Sequence, residues 1–515
     1  MTDRRSRREF LQILGGGAAA TLVSAGSGQI SPGAQNAGLI RIGAEPKFEL
    51  SPYLYMQFME PLGTTDGSVS AGWDYLHNRW REDLVEATRG LSPSMLRWGG
   101  ILCAYYRWKE AVGPRALRKP MLNIQWGGVE PNQVGTAEFA EFCRLTGAEA
   151  LICVNFEAEG RPGWAATPAG DVRAAGSAEA RQWVDYCNNP SSAERTGHGA
   201  GQPYNVRFWQ IGNETSYGNE GFDCETAGRK TVEFARAMRQ ADPEIQIIGW
   251  GDSGWARRMW EIAGEELQFL AFHHMFNPDR DTSDSPLQGI EYRKDPARTW
   301  EHLMNAKEVH EARIVEMRQQ VEGLKAPLAL TECHFALPGR NRCEVLSTWA
   351  AGVANARLLN VHERHGDVLK IATLADFCGT RWQNNAVMIP VPSGQSFLMP
   401  VALVMSLYRR HTGERALAVL SAPPELDITA SRSGNRVFLH VVNTDRTTSA
   451  SARIAVEGSQ IVSGKAFELA ADPMFEVMDT TWRELTVQEK DIRGDDSWNF
   501  PAASVTAIEL EVAPA

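Results

Sequence analysis

Three observations predict a closed parallel (β/α)8 barrel followed by an antiparallel β-sandwich. Eight short apolar runs alternate with helical patterns between residues 39 and 412. The texture then changes, and residues 413–515 read as short alternating strands separated by polar turns. No Gly-x-Gly-x-x-Gly follows an early strand, which argues against an open doubly wound sheet.

In chain order the barrel strands are expected at Leu54–Phe58, Met95–Trp98, Ala150–Asn155, Val206–Ile211, Ile245–Trp250, Phe269–His273, Leu328–Thr331 and Lys370–Leu374. Each is a run of apolar, β-branched or aromatic residues short enough to be a buried strand. Between them, apolar residues recur at helical spacing in Trp80–Thr88, Thr136–Thr146, Ala178–Cys187, Gly228–Gln240, Ala256–Ala263 and Thr299–Glu322. In the tail the expected strands are Leu426–Ala430, Arg436–Asn443, Ala450–Val456, Ala466–Glu468, Glu484–Gln488 and Ser504–Val512. Gly434-Asn435 is a hairpin turn between two of them. Residues 39–45, Leu39–Ile42 above all, precede the barrel and are a candidate extra strand of the sandwich.

The first 27 residues read as an export signal. Ser6-Arg7-Arg8-Glu9-Phe10-Leu11 resembles the twin-arginine motif, and Val23-Ser24-Ala25 supplies small residues for cleavage. The uncharged stretch between them is too short and too glycine-rich for a membrane span, so no membrane partner is expected after cleavage. Residues 28–38 read as a linker. The expected location is periplasmic or extracellular. A net charge of −11 and the lack of a basic run beyond the N-terminus exclude a typical nucleic-acid binder. Eight cysteines (Cys103, Cys143, Cys153, Cys187, Cys224, Cys333, Cys343 and Cys378) are scattered without a Cys-x-x-Cys pair, so no disulfide framework is expected. A homo-oligomeric assembly stays open.

The chemistry is concentrated in two glutamates. Glu214 closes Phe208-Trp209-Gln210-Ile211-Gly212-Asn213-Glu214, and Glu332 closes Pro327-Leu328-Ala329-Leu330-Thr331-Glu332. A carboxylate beside apolar runs costs free energy unless it is paired or used. In a barrel the reacting groups come from the C-terminal strand ends, and the fourth and seventh strands stand on opposite sides of the ring. Two opposed carboxyls are what retaining glycoside cleavage needs, one as acid/base and one as nucleophile. The neighbours Trp209 and Asn213 suit Glu214 to the acid/base role, and Asn213 is placed to bond a sugar hydroxyl. Trp98, Trp108, Trp164 and Trp382 are candidates to stack on sugar rings. Glu157 and Glu159 either line the cleft or are solvated. His273 and His274 are expected to be hydrogen-bonded rather than metal ligands, because no ligand-spaced set of Cys, His and Asp accompanies them. No metal and no cofactor is expected.

Over nearly the whole chain after the signal, these segments resemble clan A retaining glycoside hydrolases, most of all the α-L-arabinofuranosidases of family 51. Trp209–Glu214 is similar to that family's acid/base motif. Met59-Glu60-Pro61-Leu62-Gly63 resembles the segment after its first strand, where a glutamate binds sugar. Leu96-Arg97-Trp98-Gly99-Gly100 is similar to its Leu-Arg-x-Pro-Gly-Gly. Tyr106-Arg107-Trp108, Val112-Gly113-Pro114, Asn132–Phe139, Trp183–Asn188 and Leu407–His411 also follow its pattern. The resemblance implies Glu214 as acid/base, Glu332 as nucleophile, and a carbohydrate substrate. The substrate-binding candidates are Glu60, Arg97, Trp98 and Asn213 from these segments, with His273 from the sixth strand and Trp382, Gln383 and Asn384 from the segment after the eighth.

Departures from the family cluster around the sugar. Ile101-Leu102-Cys103 stands where the family continues with a sugar-binding asparagine. Met275 replaces a tyrosine, Cys333-His334 replaces Trp-Asn, and Ala375-Asp376-Phe377 replaces Ala-Gln-Leu. An exo-acting α-L-arabinofuranosidase is the expected activity. The rivals are another clan A glycosidase, either an endo-β-glucanase or an exo-enzyme for another furanose, and a carbohydrate-binding protein that has lost catalysis.

Overall fold

The computed structural model describes residues 38–60, 71–218, 220–278, 284–338, 343–380, 384–493 and 497–515. The expected export signal, the linker up to residue 37, and the site candidates Trp382 and Gln383 lie outside these residues.

Eight parallel strands follow one another around a ring: Gln57–Met59, Met95–Trp98, Glu149–Val154, Phe208–Ile211, Gln246–Trp250, Phe269–Phe276, Leu328–Phe335 and Leu369–Ala372. The Met56 N–H donates to the Ala372 carbonyl at 2.9 Å and links the first strand region to the eighth. Each strand, or the residue leading into it, sends one apolar side chain inward. Met56, Met95, Leu151, Phe208, Ile248, Ala271, Ala329 and Ile371 meet in one buried cluster that floors the barrel. Outward-facing neighbours pack on the helices, as Trp98 does on Phe139 at 5.2 Å and Trp209 on Trp183 at 5.9 Å.

A short strand, Asp376–Gly379, follows the eighth and pairs with the first through Asp376 and Phe58. Asn385–Met388 pairs with it in turn. This insertion carries the segment after the eighth strand across to the first strand at the barrel mouth.

The strand Gly38–Glu49 does leave the barrel for the second sheet. It lies parallel to Ala450–Val456 and antiparallel to Arg415–Ser421 in a nine-stranded sheet. That sheet encloses its own core, including Ile40, Ile42, Val437, Leu439, Val441, Phe500, Ile508 and Leu510. It is keyed to the barrel by the helix Trp349–Arg364. Trp349 Nε1 donates to the Ala503 carbonyl at 2.6 Å, and buried Glu363 accepts from Tyr55 Oη at 2.6 Å and meets His440 Nδ1 at 2.9 Å.

Several expected elements differ in extent. Leu54–Phe58 is a 3-10 turn over Pro52–Tyr55 before the strand begins, because Pro52 opens the turn and Ser51 Oγ accepts the Tyr53 N–H. The single helix expected over Thr299–Glu322 is two, Pro296–Met304 and Ala306–Gln320. At the bend Arg357 Nη1 donates to the Met304 carbonyl, which draws that carbonyl out of the helical ladder. No strand forms over Glu484–Leu485. The strand there is Gln488–Ile492, displaced because Trp482 turns back to stack on Phe397. Arg415–Ser421 and Ser497–Phe500 were not expected as strands. The eight cysteines are not joined in disulfides. No helix among the described residues is long and apolar enough to cross a membrane.

Candidate active site

Two residues above the apolar floor, the strands change character. Met95 gives way to Arg97, Leu151 to Cys153, Phe208 to Gln210, Ala271 to His273 and Ala329 to Thr331. This buried polar layer carries the candidate carboxyl pair. Arg97 is fully buried and has three protein acceptors. Its Nε donates to Gln210 Oε1 at 2.8 Å, Nη1 to Glu332 Oε1 at 2.8 Å and Nη2 to Asn213 Oδ1 at 2.6 Å. Its fork therefore sets the positions of the nucleophile candidate and of the residue before Glu214.

Glu332 is not the last residue of its strand, as the sequence suggested; the strand runs three residues further, to Phe335. Simple alternation would also aim it away from the barrel axis once Thr331 points inward. The pairing with the sixth strand skips a residue, Phe272 opposing Leu330 and His273 opposing Glu332. This bulge at Thr331 turns Glu332 inward as well, a recognised way of re-aiming a side chain beside a site. Beyond it His334 faces the cavity, while Cys333 faces the helix layer.

Glu214 stands three residues past its strand, in a left-handed conformation with φ of 56°. Gly212, at φ of 86°, makes the turn; a Cβ there would lie 2.7 Å from Thr215 Oγ1. The loop is held from below by Glu159. Its carboxyl accepts the Asn213 N–H at 3.2 Å and the Thr215 hydroxyl. Glu159 is fully buried, so neither position expected for it, in the cleft or in solvent, is correct. Glu157 pairs with Lys230 at 2.9 Å.

One oxygen each of Glu214 and Glu332 and one nitrogen of His273 lie within 4.8 Å of one another. Burial raises the Glu214 pKa to about 7, with Arg97 opposing and Asp252 reinforcing the rise. Burial lowers His273 to about 4, so its imidazole is neutral near neutral pH. Its Nδ1 is 3.1 Å from Glu214 Oε1 and 3.7 Å from Glu332 Oε2, and Nε2 is 3.0 Å from Thr331 Oγ1. Asp252 accepts from the His273 N–H, Tyr217 Oη and Arg313. Burial alone would raise the Asp252 pKa, but these partners outweigh it and hold the carboxyl low.

The two glutamates open on a cavity of about 350 Å3. Glu60 lines it, with Oε1 accepting the Leu102 N–H at 2.9 Å and Trp126 Nε1 at 3.4 Å. Gly100 passes so close that a Cβ there would sit 2.4 Å from the Glu60 carboxyl carbon. The other expected binding residues are placed differently. Arg97, Asn213 and His273 stand behind the wall rather than on it. Asn213 Nδ2 is buried without a hydrogen-bond partner among the described residues. Trp98 belongs to the outer barrel layer, between Tyr106 and Phe139, and does not reach the cavity. Asn384 bridges two wall residues, its Nδ2 lying 3.3 Å from Asp376 Oδ2 and 3.4 Å from His334 Nδ1. Sequence reasoning missed Gln125 and Trp126 on the cavity wall. The legible signal was an indole next to Gly127-Gly128, both at positive φ.

Residues 87–293 match the family model described as the α-L-arabinofuranosidase 1 domain, and residues 336–504 the one described as the α-L-arabinofuranosidase C-terminal domain. An intracellular exo-α-(1→5)-L-arabinofuranosidase of Acetivibrio thermocellus is 29% identical over 257 residues, 46% of this chain and 48% of that protein. A probable α-L-arabinofuranosidase C of Aspergillus niger is 32% identical over 218 residues, 40% of each. The matched stretch thus spans less than half of either relative. The thermostable GH51 α-L-arabinofuranosidase of Thermotoga petrophila has the same fold, with a TM-score of 0.73 at 22% identity over 92% of this chain and all of that one. Two arabinofuranosidase domain models thus match in tandem, and the chain shares the fold of a family 51 arabinofuranosidase and carries an opposed carboxyl pair at the barrel mouth; in these respects it resembles the family 51 glycoside hydrolases.

Proposed function

We propose that the chain is a retaining α-L-arabinofuranosidase that removes terminal arabinofuranose from plant-type polysaccharides or their oligosaccharides. The observation that carries this reading is the spacing of Glu214 and Glu332, whose nearest oxygens lie within 4.8 Å. Retaining enzymes hold their carboxyls roughly 5–5.5 Å apart, and inverting ones leave about 6.5–9.5 Å for a water. Glu332 attacks the anomeric carbon as the glycosidic C–O bond breaks. Glu214, protonated below about pH 7, gives its proton to the departing oxygen. Water then attacks the same carbon, Glu214 takes its proton, and the bond to Glu332 breaks. Arg97 sets a fixed positive charge beside Glu332 throughout. The cavity is at the small end of the roughly 300–1,000 Å3 usual for ligand sites, which favours a terminal sugar over a long chain.

A second reading keeps the reaction and changes the sugar. Met275, a thioether, lines the cavity, and His334 and Asp376 form a polar corner. A site that bonds hydroxyls strongly rejects analogues lacking them. Nitrophenyl glycosides of several pentoses and hexoses, tested with wild type and Glu332→Ala, separate the readings. Turnover of the α-L-arabinofuranoside that is lost in Glu332→Ala supports the first. Turnover of another furanoside alone supports the second, and no turnover of any glycoside contradicts both. Export through the twin-arginine route is part of the proposal. It rests on Arg7-Arg8 and the apolar run after them, and is tested by fractionating cells that express wild type and Arg7→Lys/Arg8→Lys.

A further inference from the structure

Behind the catalytic layer lies a second cluster that the hydrolytic reaction does not use. His274 follows His273 on the sixth strand, and Cys333 follows Glu332 on the seventh. His310 reaches them from the helix Ala306–Gln320. All three side chains are buried. His274 Nδ1 is 3.0 Å from His310 Nδ1, Cys333 Sγ is 4.0 Å from His310 Nδ1, and the three donor atoms lie within 4.8 Å of one another. They come from three segments, His310 lying 36 positions after His274 and 23 before Cys333. No sequence spacing would reveal the set.

We propose that His274 Nδ1, His310 Nδ1 and Cys333 Sγ bind one thiophilic d10 ion, Zn(II) or Cu(I). Three features of the cluster support this. The first is reach. Metal bonds of about 2.0–2.1 Å to nitrogen and 2.3 Å to sulfur place neighbouring donors roughly 3.3–3.8 Å apart; the two spacings to His310 Nδ1, 3.0 and 4.0 Å, lie a few tenths of an ångström from that range, and the third is under 4.8 Å. The second is the outer partner. His310 Nε2 is 2.8 Å from His362 Nε2, so a neutral His310 that donates there keeps its Nδ1 lone pair on the cluster. Metal-bound imidazoles are characteristically oriented by such a bond at the other nitrogen. The third is the donor type. Imidazole and thiolate without a carboxylate select soft ions over calcium or magnesium. Phe276 stacks on His274 at 4.6 Å and on His310 at 5.5 Å and closes the cluster with an apolar wall. Binding displaces the Cys333 thiol proton to solvent, so the ion holds a thiolate. The ion ties the outer faces of the sixth and seventh strands to a helix, one residue away from His273 and Glu332. This role does not depend on which sugar is cleaved.

The test uses the whole purified chain, stripped with a chelator and offered Zn(II) alone or Cu(I) alone. The expected result is about one equivalent of one of these ions per chain, with a rise in Tm of roughly 5 °C or more. The rise should vanish in Cys333→Ser and in His310→Gln. Because either variant could fold poorly, Co(II) is also added to the stripped wild type as a spectroscopic probe. A near-ultraviolet sulfur-to-cobalt charge-transfer band is expected. If neither Zn(II) nor Cu(I) binds stoichiometrically, or Co(II) binds without that band, the cluster is an imidazole hydrogen-bond chain and the proposal is wrong. Each of these readouts is independent of glycosidase activity, so failure here leaves the hydrolytic reading standing.

Discussion

In the proposed reaction Glu214 and Glu332 take different roles because their surroundings differ. Arg97 holds Glu332, whereas Glu214 sits in a desolvated turn that raises its pKa to about 7. Glu332→Ala is expected to lower kcat by roughly 10^4-fold or more. Glu214→Ala should cost roughly 10^2- to 10^4-fold on poor leaving groups, and much less on a nitrophenolate that departs without a proton. Steady-state kinetics on the two substrate types checks both. Activity should fall as pH rises through about 7, where Glu214 loses its proton. Asp252 reinforces that rise, so Asp252→Asn moves the alkaline limb of the kcat/KM profile to lower pH. Glu159 gives a stability test. Burial raises its pKa to about 8 from an ordinary value of 4.5. Between those values the unfolded chain releases a proton that the native chain keeps, so stability falls as pH rises. Relative to Glu159→Gln, wild type should therefore lose on the order of a few kcal/mol between pH 4.5 and 8 in urea titrations. Both glutamates of the pair were legible because each ends an apolar run in the sequence. Glu159 was not, because nothing in Phe156-Glu157-Ala158-Glu159 shows a carboxyl folded under a loop 54 residues away.

At the scale of elements, the barrel was legible through its inward residues, since each strand needs one apolar side chain at the floor and the sequence supplies it. The Thr331 bulge was not. A skipped pairing depends on two strands at once, and Leu328–Phe335 alone does not reveal it. The Asp376–Gly379 insertion was equally hidden, because it is defined by its pairing with Phe58. Helix ends were read best where glycine or proline fixes them. The break at Asn305 comes from Arg357, a residue two elements away. The join between barrel and sandwich depends on Glu363, a buried carboxyl bonded to Tyr55 and His440 from opposite sides. Removing one partner of a buried pair usually costs about 3–5 kcal/mol. Glu363→Ala is expected to lower stability by about that amount in denaturant titration, while the folded fraction keeps its KM.

Across the whole molecule, the architecture places a polar layer two residues above an apolar floor and sets the opposed carboxyl pair on it. The fourth strand brings Glu214, the bulged seventh brings Glu332, and the second brings the arginine that joins them. The sandwich adds no side chain to the cavity wall among the described residues; it braces the helix Trp349–Arg364 from outside. Of the expected departures from the family, Ile101, Met275, His334, Asp376 and Phe377 line the cavity wall. Covalent catalysis at Glu332 is the centre of the proposed mechanism. The most direct measurement is peptide-mapping mass spectrometry of Glu214→Ala quenched during turnover of nitrophenyl α-L-arabinofuranoside. A pentosyl adduct is expected on the peptide that carries Glu332. An adduct on another residue, or turnover with no adduct and an inverted anomer by NMR, would contradict that mechanism.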